Sequence, residues 1–293
     1  MSEQRIDQRV FDLYDAYCHG RMDRREFLSR AATIAVAGGS ALAMAQALLP
    51  RYALAQQVSF TDQRIKANYV SYPSPGGNSG SMRGYLVQPA GRGPFPAVLV
   101  VHENRGLNPY IEDVARRVAI EGFLALAPDG LYPAGGYPGN DDDGRALQSA
   151  LDSAKLRTDL ANSARFLKAH KLSNGKLGVT GFCYGGGMVN YLATVLGAEM
   201  NAGVPYYGIA PAIDSVARIK APLLCHLAEH DERVDSTYPA FEAALKAAGV
   251  PYEVFIYPGT QHGFHNDSTP RYNEAAAKLS WTRTVAHLRK YLV

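Results

Sequence analysis

The sequence predicts an α/β protein in which a mostly parallel central sheet is covered by helices on both faces. Two observations predict it. Segments with strand and helix patterns alternate from residue 65 onward, and the apolar run at residues 96–101 is typical of a strand buried on both faces. The chain has 293 residues, 47% hydrophobic and 19% charged, so it can bury a full core. We expect a leader at residues 1–55 and a single domain at residues 56–293.

The predicted elements follow one another without an internal repeat or a linker. Residues 65–72 and 85–88 have strand patterns and are joined by the turn-rich sequence P-S-P-G-G, which predicts an antiparallel pair. The further predicted strands are residues 96–101, 123–128, 177–182, 202–207, 222–227 and 252–257. The predicted helices are residues 110–121, 146–168, 239–248 and 274–291, with another after the glycines at 185–187. A Gly/Pro/Asp-rich loop reaching residue 143 is long enough to form a wall or lid.

The first 55 residues have the pattern of an export signal. Arg24 and Arg25 stand in the sequence D-R-R-E-F-L, a glycine-broken apolar run follows at residues 31–49, and A-L-A at residues 53–55 is typical of a cleavage site. The pattern predicts recognition by twin-arginine export machinery and a periplasmic or secreted protein, or a cytoplasmic one if the leader is not processed. A membrane anchor and an N-terminal surface helix are the alternatives. The run is short for a bilayer span of about 20 residues, so we expect no stable span after cleavage.

Charge and cysteine content exclude two further classes of protein. The formal net charge of +3 is slight, and much of the excess lies in the first thirty residues, so no nucleic-acid surface is predicted. Of the three cysteines Cys18 lies in the leader, which leaves Cys183 and Cys225 for the mature chain. Two cysteines in a domain of this size do not form a disulfide scaffold. A free nucleophilic thiol in an oxidising compartment would be exposed to oxidation.

The sequence G-F-C-Y-G at residues 181–185 lies between a predicted strand and a predicted helix. This is the nucleophile-elbow pattern with cysteine in the nucleophile position. Its glycines are needed because the turn is tight, and the start of the following helix favours a thiolate. Cys183 is therefore the predicted nucleophile. A buried structural cysteine and a phosphate-binding turn are the alternatives.

An acid and a base should follow the nucleophile, each on a loop after a later strand. Asp231 comes just after the strand at residues 222–227 and is the predicted acid, with Asp235 and Glu229 as competitors. His262 follows the next strand and is the predicted general base. His265 is a nearby alternative.

The sequence H-E-N-R-G at residues 102–106 directly follows a central strand. Such a position suits a donor to an oxyanion, and we assign that donor to the backbone N–H of Asn104, with the N–H of Tyr184 as the second. Glu103 would then point at the thiol, where its charge disfavours a thiolate. The alternative is a local ion pair between Glu103 and Arg105 without catalytic consequence.

These motifs, together with A-P-D at residues 127–129, D-x-x-V from Asp231 and H-G-F from His262, resemble those of the dienelactone hydrolase family, also called carboxymethylenebutenolidases. The resemblance covers residues 60–293. It implies an α/β-hydrolase fold and hydrolysis of a small ester or lactone through a thioester on Cys183. It also implies a Cys183–His262–Asp231 triad, a thiol gated by Glu103, and neither metal nor cofactor.

The chain departs from the family where substrate carboxylates are bound. Members acting on dienelactone have arginines four residues after the histidine and soon after P-D-x-Y, whereas this chain has Asn266 and L-Y-P-A at residues 131–134. A bidentate clamp is therefore missing there, which puts dienelactone itself in doubt. The arginines that could substitute for it are Arg105, Arg145 and Arg271. The tyrosines that could line an apolar pocket are Tyr132, Tyr137, Tyr206 and Tyr207.

A second hypothesis belongs to a different class of protein. The same fold could serve a non-catalytic or redox-responsive binding protein that uses Cys183 as a sensor thiol. That protein would show oxidation or ligand binding without a covalent acyl adduct on the cysteine.

Overall fold

A computed structural model describes residues 8–34 and 50–293. Eight strands form one sheet in the order β1-β2-β4-β3-β5-β6-β7-β8. The strands are β1 (Ile65–Pro73), β2 (Ser81–Pro89), β3 (Phe95–Val101), β4 (Leu124–Pro128), β5 (Ser173–Phe182), β6 (Ala202–Tyr206), β7 (Leu223–His230) and β8 (Tyr252–Gln261). The β1–β2 and β2–β4 pairs are antiparallel and the remaining pairs are parallel, which confirms the predicted architecture.

Helices lie on both faces of this sheet. In the described residues they are α1 (Gln8–Cys18), α2 (Arg24–Ile34), α3 (Tyr52–Ala55), α4 (Pro109–Ile120), α5 (Asp141–Ala150), α6 (Ser153–Lys168), α7 (Tyr184–Leu196), α8 (Glu232–Asp235), α9 (Tyr238–Ala247) and α10 (Glu274–Leu292). Within these residues no helix is both long enough and apolar enough to cross a bilayer.

The central strand β3 shows why the sheet needs two covering layers. Ala97, Leu99 and Val101 belong to the apolar cluster on one face, and Val98 and Val100 to the cluster on the other. All five are fully buried. A strand whose successive side chains are all apolar can be stable only when both of its faces are covered.

The predicted helix at residues 146–168 is wrong in one respect, because the structure has two helices there. α5 starts at Asp141, inside the segment predicted as a loop, and ends at Ala150. The Asp152 side chain accepts hydrogen bonds from the N–H groups of Ala154 and Lys155 and so caps α6. An aspartate in this position starts a new helix, and the sequence prediction did not recognise the cap.

The described part of the predicted leader forms a helical hairpin. We call residues 8–34, which contain α1 and α2, the N-terminal helix pair. It has a small core of its own, to which Val10, Tyr14 and Phe27 contribute fully buried side chains. The predicted apolar run at residues 31–49 lies mostly outside the described residues.

Candidate active site

Cys183 lies at a sharp turn between β5 and α7. Its φ of 56° is in the left-handed region, where any residue other than glycine is strained. A Cβ on Gly185 would lie 2.3 Å from the Val101 carbonyl oxygen, and one on Gly181 would lie 2.4 Å from that of Gly185. Both flanking positions therefore need glycine, and the thiol stands at the N-terminus of α7.

The structure brings Asp231 and His262 together beside this thiol. Asp231 follows β7, His262 follows β8, and Oδ2 of the acid lies 2.5 Å from Nδ1 of the imidazole. The His262 ring is buried, and its Nε2 has no hydrogen-bond partner in the described part of the chain. That Nε2 and the Cys183 Sγ lie within 4.8 Å of each other. The three side chains thus stand in the order acid, imidazole, thiol.

Two of the three competing residues, Glu229 and His265, have other partners. Glu229 accepts a hydrogen bond of 2.7 Å from the Gly259 N–H, and His265 Nδ1 lies 2.7 Å from the Tyr110 hydroxyl. Burial raises the pKa of Asp235 to about 6, so this acid carries less charge than an ordinary aspartate near neutral pH. The geometry therefore favours Asp231 and His262.

The site favours an ion pair between sulfur and imidazole. Burial opposes charge on His262, but the Asp231 carboxylate and the Cys183 sulfur raise the pKa of His262 to about 10. Burial likewise opposes ionisation of Cys183, yet the neighbouring His262 holds the pKa of the thiol well below its usual range. A thiolate beside an imidazolium is the reactive form of a nucleophilic cysteine.

The loop after β3 is held in place by a buried imidazole. His102 Nδ1 donates to the Glu103 carbonyl oxygen at 2.6 Å, and its Nε2 accepts from the Gly130 N–H at 3.2 Å. This arrangement fixes the backbone from which the predicted oxyanion donor at Asn104 projects. Asn104 and Tyr184 border the same cavity as Cys183.

Glu103 is buried, and its hydrogen bond and its ion pair are with Asn266 and Arg105. Oε2 accepts a hydrogen bond of 3.1 Å from Asn266 Nδ2 and lies 3.8 Å from Arg105 Nε. Burial raises the pKa of Glu103, which reduces its charge. The ion pair with Arg105 is therefore present, and gating of the thiol by Glu103 stays a prediction.

The sequence analysis missed His19, which belongs to the predicted leader and lies beside Cys183. Its Nε2 is 3.6 Å from Cys183 Sγ and 2.9 Å from Arg233 Nη2. Because arginine only donates, Nε2 faces Arg233 with its lone pair and the ring hydrogen lies on Nδ1, 2.8 Å from the Asp15 carbonyl oxygen. Val10 and Tyr14 lie four residues apart upstream of His19, and this apolar spacing was the sequence signal for an amphipathic helix that packs on the domain.

The candidate substrate-binding residues differ in their burial and in their contacts. Arg105 and Arg271 are buried near the site, and Arg105 Nη1 lies 2.7 Å from Asp141 Oδ2. Arg145 donates to the Tyr17 carbonyl oxygen. Tyr132 is not among the residues bordering the cavity at Cys183, because its ring lies beneath the Arg83 guanidinium at 5.4 Å. A role of Tyr132 in substrate binding therefore stays a prediction.

A cavity of about 560 Å³ opens onto Cys183. One side is formed by His19, Asn104 and Arg233. The apolar side chains that line it come from α7 and from the segment after β6, namely Tyr184, Met188, Tyr191, Ile209, Ala210 and Pro211. A substrate can thus reach the sulfur with the N-terminal helix pair in place.

One cluster in the described residues has ligand atoms suited to a metal ion. The atoms are those of His19, Cys183 and His262, all within 4.8 Å of one another. Such a set suits a transition metal in principle. Ester hydrolysis by a thiolate needs none, and the expected absence of metal and cofactor stays a prediction.

A nucleophile elbow, an acid and a histidine on loops after successive later strands, and this sheet order define an α/β-hydrolase. The Dienelactone hydrolase family model matches residues 82–292. A separate model, YqhI-like, matches residues 1–36. The chain therefore belongs to the dienelactone hydrolase family, and it is a hydrolase of carboxylic ester or lactone substrates.

Individual relatives agree with this assignment. An Escherichia coli K12 protein named "Putative hydrolase fragment YghX" is 66% identical over 114 residues, 39% of this chain and 97% of the relative. A "Putative carboxymethylenebutenolidase" of Methylorubrum extorquens is 32% identical over 281 residues, 90% of this chain and 94% of the relative. The crystal structure of a Klebsiella pneumoniae protein described as a putative dienelactone hydrolase has a TM-score of 0.68 at 30% identity, covering 78% of this chain and 99% of that one.

Proposed function

We propose that the protein hydrolyses small carboxylic esters or lactones through a thioester on Cys183. His262 is the general base and Asp231 orients it. The observation that supports this most strongly is the 2.5 Å contact between Asp231 Oδ2 and His262 Nδ1, which leaves the unpartnered Nε2 of His262 on the side of the thiol. This is the acid–imidazole–nucleophile arrangement of covalent hydrolases.

Acylation begins when the Cys183 thiolate attacks the substrate carbonyl carbon. The carbonyl oxygen becomes an oxyanion, which the backbone N–H groups of Asn104 and Tyr184 stabilise. The tetrahedral intermediate collapses as the carbon–oxygen bond to the leaving group breaks, and the His262 imidazolium gives its proton to the departing alkoxide. With an ester the alcohol leaves, whereas with a lactone the new hydroxyl stays attached to the opened acyl chain.

Deacylation uses the same residues in reverse. Neutral His262 takes a proton from water, and the resulting hydroxide attacks the thioester carbonyl. The carbon–sulfur bond breaks, the carboxylic acid is released, and the thiolate and imidazolium are restored. Asp231 stays ionised throughout and stabilises the imidazolium.

The name carboxymethylenebutenolidase, carried by the Methylorubrum relative, points to lactones as one substrate class. The chain has Asn266 where a carboxylate-binding arginine was expected, and Asn266 donates to Glu103. Arg105 and Arg271 are present but buried. We therefore propose ester and lactone hydrolysis without assigning dienelactone as the substrate.

Export through the twin-arginine-type leader is a separate proposal. It is supported by Arg24 and Arg25, by the apolar run at residues 31–49, and by A-L-A at residues 53–55. Cleavage after Ala55 would remove the N-terminal helix pair and with it His19. Export and a role of His19 in the mature enzyme therefore compete.

Steady-state hydrolysis of 4-nitrophenyl acetate by wild type and Cys183→Ala tests the enzymatic proposal. We expect the variant to lose at least about a hundred-fold in kcat/KM, because no other described side chain can supply the nucleophile at this turn. Unchanged turnover in a correctly folded Cys183→Ala protein would remove Cys183 from the mechanism.

A further inference from the structure

The N-terminal helix pair lies directly over the nucleophile. His19, which immediately follows α1, places its Nε2 3.6 Å from Cys183 Sγ. Asn104 Nδ2 donates to the Cys18 carbonyl oxygen at 2.8 Å, so the loop predicted to hold the oxyanion donor is itself bonded to the pair. Gln8 and Gln261 exchange hydrogen bonds at 3.0 and 2.6 Å at the other end of α1. The pair is thus attached at both ends of α1.

The same pair covers the buried cations of the cleft. The Arg271 guanidinium lies 4.7 Å from the Tyr14 ring centroid, and its Nη1 is 3.5 Å from Asp15 Oδ1. Arg105 is bound by Asp141, and each arginine is 5% exposed. Both arginines are thus paired with protein carboxylates, Arg105 with Asp141 and Arg271 with Asp15.

The space that stays open has an apolar part. The cavity of about 560 Å³ next to Cys183 is bordered by His19; apolar and aromatic side chains of α7 and of the segment after β6 line it together with Arg157, Arg218 and Arg233. Its volume lies in the range of pockets that hold drug-sized molecules, so it exceeds what an acetyl group needs. Met188 and Ile209 lie on its wall, and Ile209 is 45% exposed, which leaves apolar surface uncovered there.

We propose that the N-terminal helix pair is a wall of a substrate site that selects esters with an extended apolar acyl arm over esters with a short one. The acyl arm lies in the cavity between α7 and the segment after β6, with its carbonyl carbon at Cys183. This inference rests on the proposed ester hydrolysis. His19 is the residue of the wall that touches the reacting sulfur.

Chain length is the first test. Methyl acetate, butanoate and hexanoate are compared by titrating the released acid. We expect kcat/KM to rise at least about ten-fold from acetate to hexanoate, because each buried methylene contributes favourable transfer free energy. In Met188→Trp, which fills the cavity, we expect the gain from acetate to hexanoate to disappear. Leu279→Trp, at an exposed position of α10, is the control and should keep the gain. Wild-type rates that are flat or fall with chain length would overturn the proposal.

Loosening the pair tests whether it forms the wall. Tyr14→Ala removes the ring over Arg271, and labelling of the buried Cys18 thiol reports whether the pair has opened. We expect Cys18 to react and the gain in kcat/KM from acetate to hexanoate to fall at least about five-fold. If Cys18 stays protected, Phe27→Ala takes the place of Tyr14→Ala, because it deletes another fully buried ring of the same core. Reactive Cys18 with an unchanged gain would exclude the wall.

Binding separates this inference from the proposed function. Calorimetric titration of the Cys183→Ala protein with methyl hexanoate needs no turnover. If methyl hexanoate binds and Met188→Trp in the same background abolishes that binding, the result supports the cavity even when no ester is hydrolysed. Only the catalytic proposal would then fail. Hydrolysis of acetate without binding of hexanoate would leave the catalytic proposal standing and overturn this one.

Discussion

His19 Nε2 lies 3.6 Å from Cys183 Sγ, although 164 residues separate the two in the chain. The contact joins the segment predicted as a leader to the predicted nucleophile. The imidazoles of His19 and His262 therefore both lie beside the Cys183 sulfur, and their ring centroids are 5.0 Å apart. Each of these rings has an aspartate at its Nδ1 side, Asp15 for His19 and Asp231 for His262.

Replacing His19 by alanine should lower kcat/KM for 4-nitrophenyl acetate about ten-fold. The change removes the imidazole that lies 3.6 Å from the reacting sulfur and borders the cavity, so water reaches the thiolate and the acyl group is positioned less well. His230→Ala, at an exposed histidine next to Glu229, is the control and should stay within about two-fold of wild type. A His19→Ala enzyme as active as the control would show that the contact has no catalytic consequence.

The pH dependence of Cys183 alkylation reports the ion pair. His262 stabilises the thiolate, so the thiol ionises at lower pH than a free cysteine, whose pKa is about 8.5. We expect iodoacetamide to react with Cys183 at pH about 6 nearly as fast as at pH about 8.

Asp231→Asn should reverse this shift. The imidazolium loses its counter-charge, the pKa of His262 falls from its raised value, and the thiolate loses its cationic partner. The alkylation profile should therefore move upward by about one pH unit or more. An unshifted profile would contradict the assigned coupling between Asp231 and Cys183.

Asp231 and Asp235 should differ sharply in their effect on turnover. Asp231→Ala removes the hydrogen bond that orients His262 and should cost at least about a hundred-fold in kcat. Asp235→Ala removes a carboxyl that makes no hydrogen bond to the imidazole of His19 or His262, and it should cost less than about three-fold. Equal losses in the two variants would mean that the acid has been assigned wrongly.

The elbow glycine Gly185 should be intolerant of any side chain. Its Cβ would lie 2.3 Å from the Val101 carbonyl oxygen, so Gly185→Ala should destabilise the fold by about 2 kcal/mol or more in urea unfolding. Gly91→Ala is the matched control, since the nearest atom to its Cβ would be 4.0 Å away on Phe95. A stable Gly185→Ala protein would show that the turn is looser than the structure indicates.

Export makes a prediction about the N-terminus. If the leader is cleaved, protein recovered from the periplasm or medium should begin at residue 56, and changing both Arg24 and Arg25 to lysine should keep it in the cytoplasm. N-terminal sequencing measures this directly. A start at residue 56 confines any role of His19 to the unprocessed chain, whereas an exported protein that retains Met1 would contradict cleavage.

The sequence predicted the part of the fold that rests on local patterns. Buried strands such as β3 are continuous apolar runs, and the glycines around Cys183 leave few alternatives to an elbow. Chain order after the nucleophile then led to Asp231 and His262, and the structure brings these side chains together. Each of these inferences depends on residues within a few positions of one another or on the order of strands.

Long-range packing accounts for what the sequence analysis missed. The composition of residues 1–55 suggested a leader, and nothing local showed that α1 would pack on the loops that carry His262 and Asn104. The contact between Tyr132 and Arg83 could not be predicted for the same reason, because the Arg83 guanidinium comes from a distant strand. Contacts of this kind depend on three-dimensional packing and have no short sequence motif.

The most direct test of the account is to trap the acyl-enzyme. Wild-type protein is exposed briefly to 4-nitrophenyl acetate, quenched in acid and analysed by intact-mass and peptide mass spectrometry. We predict one acetyl group on the peptide that contains Cys183, and none on the Cys183→Ala protein. Rapid hydrolysis of the ester without any acyl group on Cys183, at a rate that Cys183→Ala shares, would contradict the central claim.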